Sequence, residues 1–203
     1  MPRSGERTRQ RILDAAYKQF RKRGYARVSM DEIAAATSVT KRTLYYHFES
    51  KDALLAAVLE AQHHLAVAAF HTYGDRLGGA PDAIVDSMFK ELAAWADKPR
   101  WSGSGFTRLV VELADLPGHP ARKIARQHKA AIEEQLAALL ARAGVARASE
   151  CAREISLLSE GAISLMLVSG DRSYARAAAQ AARTLLRSAS AAGRPEAAAQ
   201  STA

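Results

Sequence analysis

The chain has 203 residues, of which 48% are hydrophobic and 25% charged, as is usual for a globular protein with a substantial core. Its net charge of +8 is uneven, because residues 1–52 hold twelve Lys and Arg against six Asp and Glu. One cysteine, Cys151, excludes an internal disulfide framework and is expected to be a buried thiol. The first residues lack a signal-peptide pattern, and no run approaches the roughly 18 uninterrupted apolar residues that span a bilayer. We therefore expect a cytoplasmic protein with no membrane partner.

The first predicted helix has a helical apolar period. Ile12, Ala16 and Phe20 fall on one face, and basic side chains lie outside it. Gly24 follows at the position where a left-handed residue ends a helix. We expect this helix to support the two short helices that follow it.

Two short helices follow. Ser29 and Glu32 form a capping-box pattern that begins a helix through Ala36. A three-residue connection leads to Thr40, which is expected to cap a third helix ending at His47. This arrangement predicts a helix-turn-helix with 40–47 in the major groove of DNA.

The start of the third helix carries chemistry suited to DNA. Residues 40–43 are Thr, Lys, Arg and Thr, which suit guanine edges, phosphates and thymine methyl groups. Leu44 and Phe48 are spaced to point inward, so Tyr46 is expected to be exposed near phosphate. The simpler interpretation is a solvated basic surface with tyrosines in the core, and charge alone does not decide between them.

The rest of the chain predicts only helices. Ser50 begins a long fourth helix to about Gly74. Further helices are expected at about 81–97, 106–116, 120–143, 149–169 and 173–188. The predicted fold is all-α with about nine helices: a helix-turn-helix DNA-binding domain at 1–52, a helical effector-binding and dimerisation domain at 53–188, and a disordered tail at 189–203.

At this point the sequence resembles a known family. Residues 28–55 look like the N-terminal domain of tetracycline-repressor (TetR) family regulators, and the resemblance extends over about 8–60. Its most specific part is the run Thr43-Leu44-Tyr45-Tyr46-His47-Phe48, followed by Ser50-Lys51-Asp52 and Leu54-Leu55.

The resemblance implies a homodimer that binds a palindromic operator in double-stranded DNA, usually as a repressor released by a small effector. It implies base contacts from Lys41, Arg42, Thr43 and Tyr45. It implies backbone contacts from Ser29, Thr40, Tyr46, His47 and Lys51.

Two residues depart from the family pattern. Ser38 stands in the turn where the family often has glycine, and a positive φ there would be costly for serine. Arg42 stands where a glycine or small residue is common, so we expect it to add a base or phosphate contact. Operator preference is therefore not transferable from relatives.

Two further sets of side chains are expected to serve the effector and the dimer. A largely apolar or aromatic effector is expected near the segment 97–105, which the sequence predicts to be a mobile loop. The candidate pocket residues are His64, Met88, Trp95, Trp101, Phe106, Arg108, Leu109 and Glu112. The candidate dimer residues, for which an intrachain core is the alternative, are Ile155, Leu158, Ala162, Leu165, Met166 and Leu185.

No catalytic or metal constellation is apparent. There is no nucleophile elbow, phosphate loop or zinc-protease motif, so no enzyme activity or cofactor is expected. His64 and His71 lie seven residues apart, too far along one helix to share a metal. The competing function is a helical ligand-binding or protein-interaction module without operator binding.

Overall fold

The computed structural model describes residues 4–76 and 79–192, and within these ranges the chain forms nine helices and no strand. The all-α prediction is confirmed. The helices are α1 (Ser4–Arg23), α2 (Met30–Thr37), α3 (Lys41–His47), α4 (Lys51–Arg76), α5 (Pro81–Ala96), α6 (Gly105–Val111), α7 (Pro120–Arg142), α8 (Ala148–Ser169) and α9 (Ser173–Ala192).

The chain divides into two compact units. The first comprises Met1–Ala68 and Ser104–Lys129, and the second comprises Ala69–Gly103 and Ala130–Ala203. The first unit therefore joins the helix-turn-helix to α6 and the first part of α7, which lie far away in sequence. The sequence predicts a division by function after residue 52, into a DNA-binding and an effector-binding domain. That division remains a prediction.

The core of the first unit begins with α1. Ile12, Ala16 and Phe20 are fully buried, as their spacing predicts, and they pack in one cluster with Ile33 of α2 and Leu44 of α3. Three helices thus meet through one apolar stripe each, which is how short helices gain stability in a protein.

The start of α2 is a complete capping box. The Ser29 hydroxyl accepts from the Glu32 backbone N–H at 3.2 Å, and the Glu32 carboxylate accepts from the Ser29 N–H at 2.8 Å. That backbone hydrogen bond, followed by Arg23, lowers the pKa of Glu32 to about 2. The Glu32 carboxylate therefore stays ionised, and the cap stays formed, across the physiological pH range.

The turn between α2 and α3 places Ser38 in the left-handed region, with φ of 54°. Serine is strained there because its Cβ approaches the backbone, and glycine is not. Ser38→Gly is therefore expected to raise the free energy of unfolding by about 0.5–1 kcal/mol in urea denaturation. Ser38→Ala keeps the Cβ and serves as the control. A Gly variant no more stable than the Ala variant would contradict this account of the strain.

The fourth helix passes a length and composition test for a membrane span over Lys51–Thr72, which is weak evidence because core helices of soluble proteins pass it too. Its first turns carry Leu54, Leu55, Val58 and Leu59, all buried in the core of the first unit. These side chains give that part of α4 a packing role.

The second unit is built around α5, α8 and α9. Ile155 and Met166 of α8 are buried in one cluster with Ala178 and Ala182 of α9. The small alanine side chains allow the helices to approach closely. Cys151 is buried in the same cluster, as expected, and burial raises the pKa of its thiol.

Two boundaries differ from the sequence prediction. Helix α6 ends at Val111 and not at Leu116, because bonds such as Leu113 N–H to the Val110 carbonyl (3.1 Å) replace the α-helical pattern with tighter turns. Helix α9 continues to Ala192, past the expected start of the tail. The rest of the predicted tail, 193–203, lies outside the described residues.

Candidate nucleic-acid interface

Helix α3 is fixed from its N-terminus and from one face. The Thr40 hydroxyl accepts from the Thr43 N–H at 3.1 Å, so Thr40 is the N-cap, as predicted. Leu44 is fully buried and Phe48 nearly so, which directs the other face of the helix outward. The N-cap and the buried residues therefore hold α3 in one orientation, with its remaining side chains facing outward.

The outward face carries both tyrosines. Tyr46 is 84% exposed and Tyr45 43% exposed, although aromatic side chains of this size are usually buried. The Tyr46 ring lies edge-on to the half-buried His47 ring, with 5.2 Å between centroids. The expected exposure of Tyr46 is confirmed, and Tyr45 is exposed as well.

The two cations of α3 differ in their surroundings. Lys41 Nζ lies 2.9 Å and 3.1 Å from the two carboxylate oxygens of Asp31 on α2, and this hydrogen bond raises the pKa of Lys41. Arg42 is exposed and has no ion-pair partner within the described part of the chain. A DNA contact by Lys41 would therefore compete with its ion pair to Asp31. A contact by Arg42 would have no such competitor among the described residues.

Lys51 is engaged inside the protein. Its ammonium donates to the backbone carbonyls of Tyr25 (2.9 Å) and Val28 (3.0 Å) and lies 4.2 Å from the centre of the Tyr25 ring. Two of its three donors are thus used to hold the chain before α2. Its predicted phosphate contact stays a prediction, and the structure adds a bracing role that the sequence pattern did not reveal.

Basic side chains of α1 also contact the ends of α2 and α3. Arg11 donates to the Thr37 carbonyl at the end of α2, and the Arg9 guanidinium lies 5.2 Å from the centre of the Phe48 ring. Sequence reasoning treated such residues only as surface charge. Nothing in their spacing signals these contacts, because they depend on how α1 crosses α2 and α3.

The N-terminal sequence matches a known family. The profile described as bacterial regulatory proteins, tetR family, matches residues 12–58. Over 59 residues the chain is 42% identical to the HTH-type transcriptional regulator SrpR of Pseudomonas putida, covering 29% of this chain and 28% of that protein. Over 65 residues it is 40% identical to the HTH-type transcriptional regulator TtgR of the same species, covering 30% and 31%. The match spans less than a third of each of these relatives.

Solved structures extend the likeness to nearly the whole chain. A TetR-family transcriptional regulator from Streptomyces coelicolor superposes with a TM-score of 0.78 at 26% identity, covering 90% of this chain and 96% of that one. A TetR-type regulator from Streptomyces avermitilis gives 0.77 at 28% identity, covering 90% and 98%. The helix-turn-helix of this chain belongs to the TetR family. This helix-turn-helix is the DNA-binding part of that family, and the relatives that share it are transcriptional regulators.

The candidate effector residues fall in both units. His64, Phe106, Arg108, Leu109 and Glu112 lie in the first unit, and Met88, Trp95 and Trp101 lie in the second. Leu109 is buried core, and His64 is exposed. Phe106 stacks on the buried His128 ring at 3.8 Å between centroids.

Two of these candidates have hydrogen-bond partners within the first unit. Arg108 donates to the Arg21 carbonyl of α1 at 2.9 Å. The Glu112 carboxylate accepts from the backbone N–H groups of Tyr25 (2.7 Å) and Ala26 (3.2 Å). An effector contact by Arg108 or Glu112 would have to replace these bonds within the first unit, and both residues stay candidates for the effector site.

The loop that joins α5 to α6 is held in place in the second unit. Arg172 donates to Asp97 (3.0 Å) and to the Ala96 carbonyl (2.6 Å), and its guanidinium lies 5.0 Å from the centre of the Trp101 ring. Trp101 meets Trp95 edge-on at 5.4 Å between centroids. These contacts do not fit the mobile loop that the sequence predicts at 97–105.

The dimer candidates divide by burial. Ile155, Ala162 and Met166 are buried in the core of the second unit, and Leu158 and Leu185 are half-buried. For the three buried residues the intrachain alternative therefore holds. Only Leu165 of the six is exposed, at 46%. The pattern of apolar residues on an alanine-rich pair of helices did not determine which face turns outward.

Proposed function

We propose that this TetR-family protein is a homodimeric repressor that binds a palindromic operator through α3 and is released by a small, largely apolar or aromatic effector. The observation that carries the proposal is the outward face of α3, where Arg42, Tyr45 and Tyr46 are exposed on a capped helix. Side chains at the N-terminus of such a helix reach base edges in the major groove.

Operator binding is tested with the full chain and the DNA that flanks its gene. A footprint with two related half-sites, about one helical turn apart or at a multiple of that spacing, is the expected result. Binding should weaken steeply with salt, because phosphate contacts release counterions. Equal affinity for flanking and unrelated DNA would favour the competing function, a helical module without operator binding.

The proposed dimer surface is the exposed apolar side of α8. Leu157, Leu165 and Val168 are 74%, 46% and 86% exposed, and with Gly161 they follow helical spacing on one side of the helix. Exposed apolar groups that form one patch are typical of protein interfaces. A second copy of this chain would cover the patch by helix-on-helix packing.

Val168→Glu is expected to convert the dimer to a monomer, because a carboxylate would be buried without a partner in the interface. Sedimentation equilibrium at micromolar concentration measures the change. Val111→Glu, at another exposed apolar position (67% exposed) in the first unit, is the matched control. A Val168→Glu chain that remains dimeric would place the interface elsewhere.

The proposed effector site lies near the two tryptophans. Trp101 Nε1 is buried and has no hydrogen-bond partner within the described part of the chain. A buried donor of this kind favours a ligand that brings an acceptor among apolar groups. Tryptophan fluorescence and operator affinity should change together when an aromatic compound binds, and a screen that changes neither would contradict the proposal.

A further inference from the structure

The connection between α1 and α2, residues 24–29, is held by side chains from outside α1–α3. The Glu112 carboxylate, just after α6, accepts from the N–H groups of Tyr25 and Ala26. Lys51 of α4 donates to the carbonyls of Tyr25 and Val28. Both the donors and the acceptors of this short segment are therefore fixed by ionic groups, and such hydrogen bonds are stronger than neutral ones.

A second set of contacts fixes the Tyr25 side chain. Its hydroxyl donates to Asp52, and the His119 Nε2 lies 3.5 Å from the other Asp52 oxygen. His119 Nδ1 accepts from the Ala121 N–H at 3.1 Å, which leaves the buried Nε2 facing Asp52 without a close hydrogen bond. The hydrogen bond from Tyr25 lowers the pKa of Asp52, which therefore remains an acceptor.

The segment fits closely around Glu112. Gly24 has φ of +85°, and a Cβ added there would lie 2.7 Å from the Glu112 carboxylate oxygen. Glycine is favoured by the backbone conformation, and a Cβ there would also force the Glu112 carboxylate to shift. The contact joins positions 86 and 87 residues apart in sequence.

We propose that Glu112 and His119 are positioning residues for DNA recognition, an inference that rests on the proposed function. They contact no DNA themselves. They hold residues 24–29, and Ser29 in that segment is the cap of α2, which packs against α3. Sequence-specific binding requires α3 to be held in one orientation, whereas general phosphate contact does not.

The test compares Glu112→Gln with Glu60→Gln, which removes the same charge from an exposed position of the same unit. Glu112→Gln is expected to bind the operator about tenfold more weakly, with less than a twofold change for unrelated DNA. Glu60→Gln should change neither. Both affinities are measured well below the melting temperature, so that a merely structural loss of stability would leave them unchanged. Amide hydrogen exchange at Tyr25 and Ala26 should be at least tenfold faster in Glu112→Gln alone.

His119→Asn provides a second variant in case Glu112→Gln folds poorly. Asparagine is expected to accept from the Ala121 N–H at the start of α7, as His119 does, but it is too short to reach Asp52, so about a three- to fivefold loss of operator affinity is expected. If the wild type binds the operator and both variants bind it with the same affinity, this inference would be wrong and the proposed function would stand. Failure of the wild-type chain to form a specific complex would overturn the proposed function and this inference with it.

Discussion

Leu44→Ala is expected to lower the free energy of unfolding of the first unit by about 2–5 kcal/mol and to abolish DNA binding with it. Leu44 is fully buried at the point where α3 packs on α1 and α2. A helix of only seven residues depends on that packing, because its own hydrogen bonds do not stabilise it in water. Urea denaturation followed by circular dichroism measures the loss.

The matched control is the neighbouring residue. Tyr45→Ala shortens a side chain that is 43% exposed and should change the free energy of unfolding by less than about 0.5 kcal/mol. If Leu44→Ala were as stable as Tyr45→Ala, the inward orientation of Leu44 would be wrong, and with it the orientation of every other side chain on α3.

Arg42→Ala is expected to weaken operator binding by about 1–3 kcal/mol, or roughly 5- to 150-fold, while leaving stability unchanged. The guanidinium is exposed and unpaired within the described residues, so no intrachain contact is lost when it is removed. Its planar fork suits bidentate binding to guanine. The loss should be concentrated at one base pair of each half-site, as measured with single-base operator variants.

Arg126→Ala is the control for charge, because it removes an exposed arginine from α7 of the same unit. A similar loss in both variants would mean that Arg42 acts through general electrostatic attraction. In that case the departure of Arg42 from the family pattern would not affect operator preference.

Local features of the fold were predictable from sequence because they depend on neighbouring residues. The caps at Ser29 and Thr40, the left-handed Gly24 and the buried face with Leu44 follow from short-range spacing, and the structure has each of them. The positive φ at Ser38 was indicated only by the family resemblance, in which glycine often stands in that turn.

Contacts between distant residues were not predictable in this way. The expected continuation of α6 placed Glu112 among the pocket candidates, whereas the helix ends at Val111 and the carboxylate turns to the backbone of Tyr25. In α8 the apolar residues occur on more than one side. Spacing alone therefore did not show that Ile155 packs inward while Val168 faces solvent.

The central claim is that the exposed face of α3 binds DNA, and one titration tests it most directly. The affinity of the full chain for its flanking DNA is measured from about 50 to 200 mM salt, for the wild type and for Tyr46→Ala. We predict a specific wild-type complex whose affinity falls by about 10³–10⁵ over that range if each complex makes roughly 6–10 phosphate contacts. Tyr46→Ala should bind at least about tenfold more weakly at every salt concentration, with an unchanged melting temperature. A Tyr46→Ala curve that overlays the wild type would contradict the assignment of α3 as the DNA-binding helix.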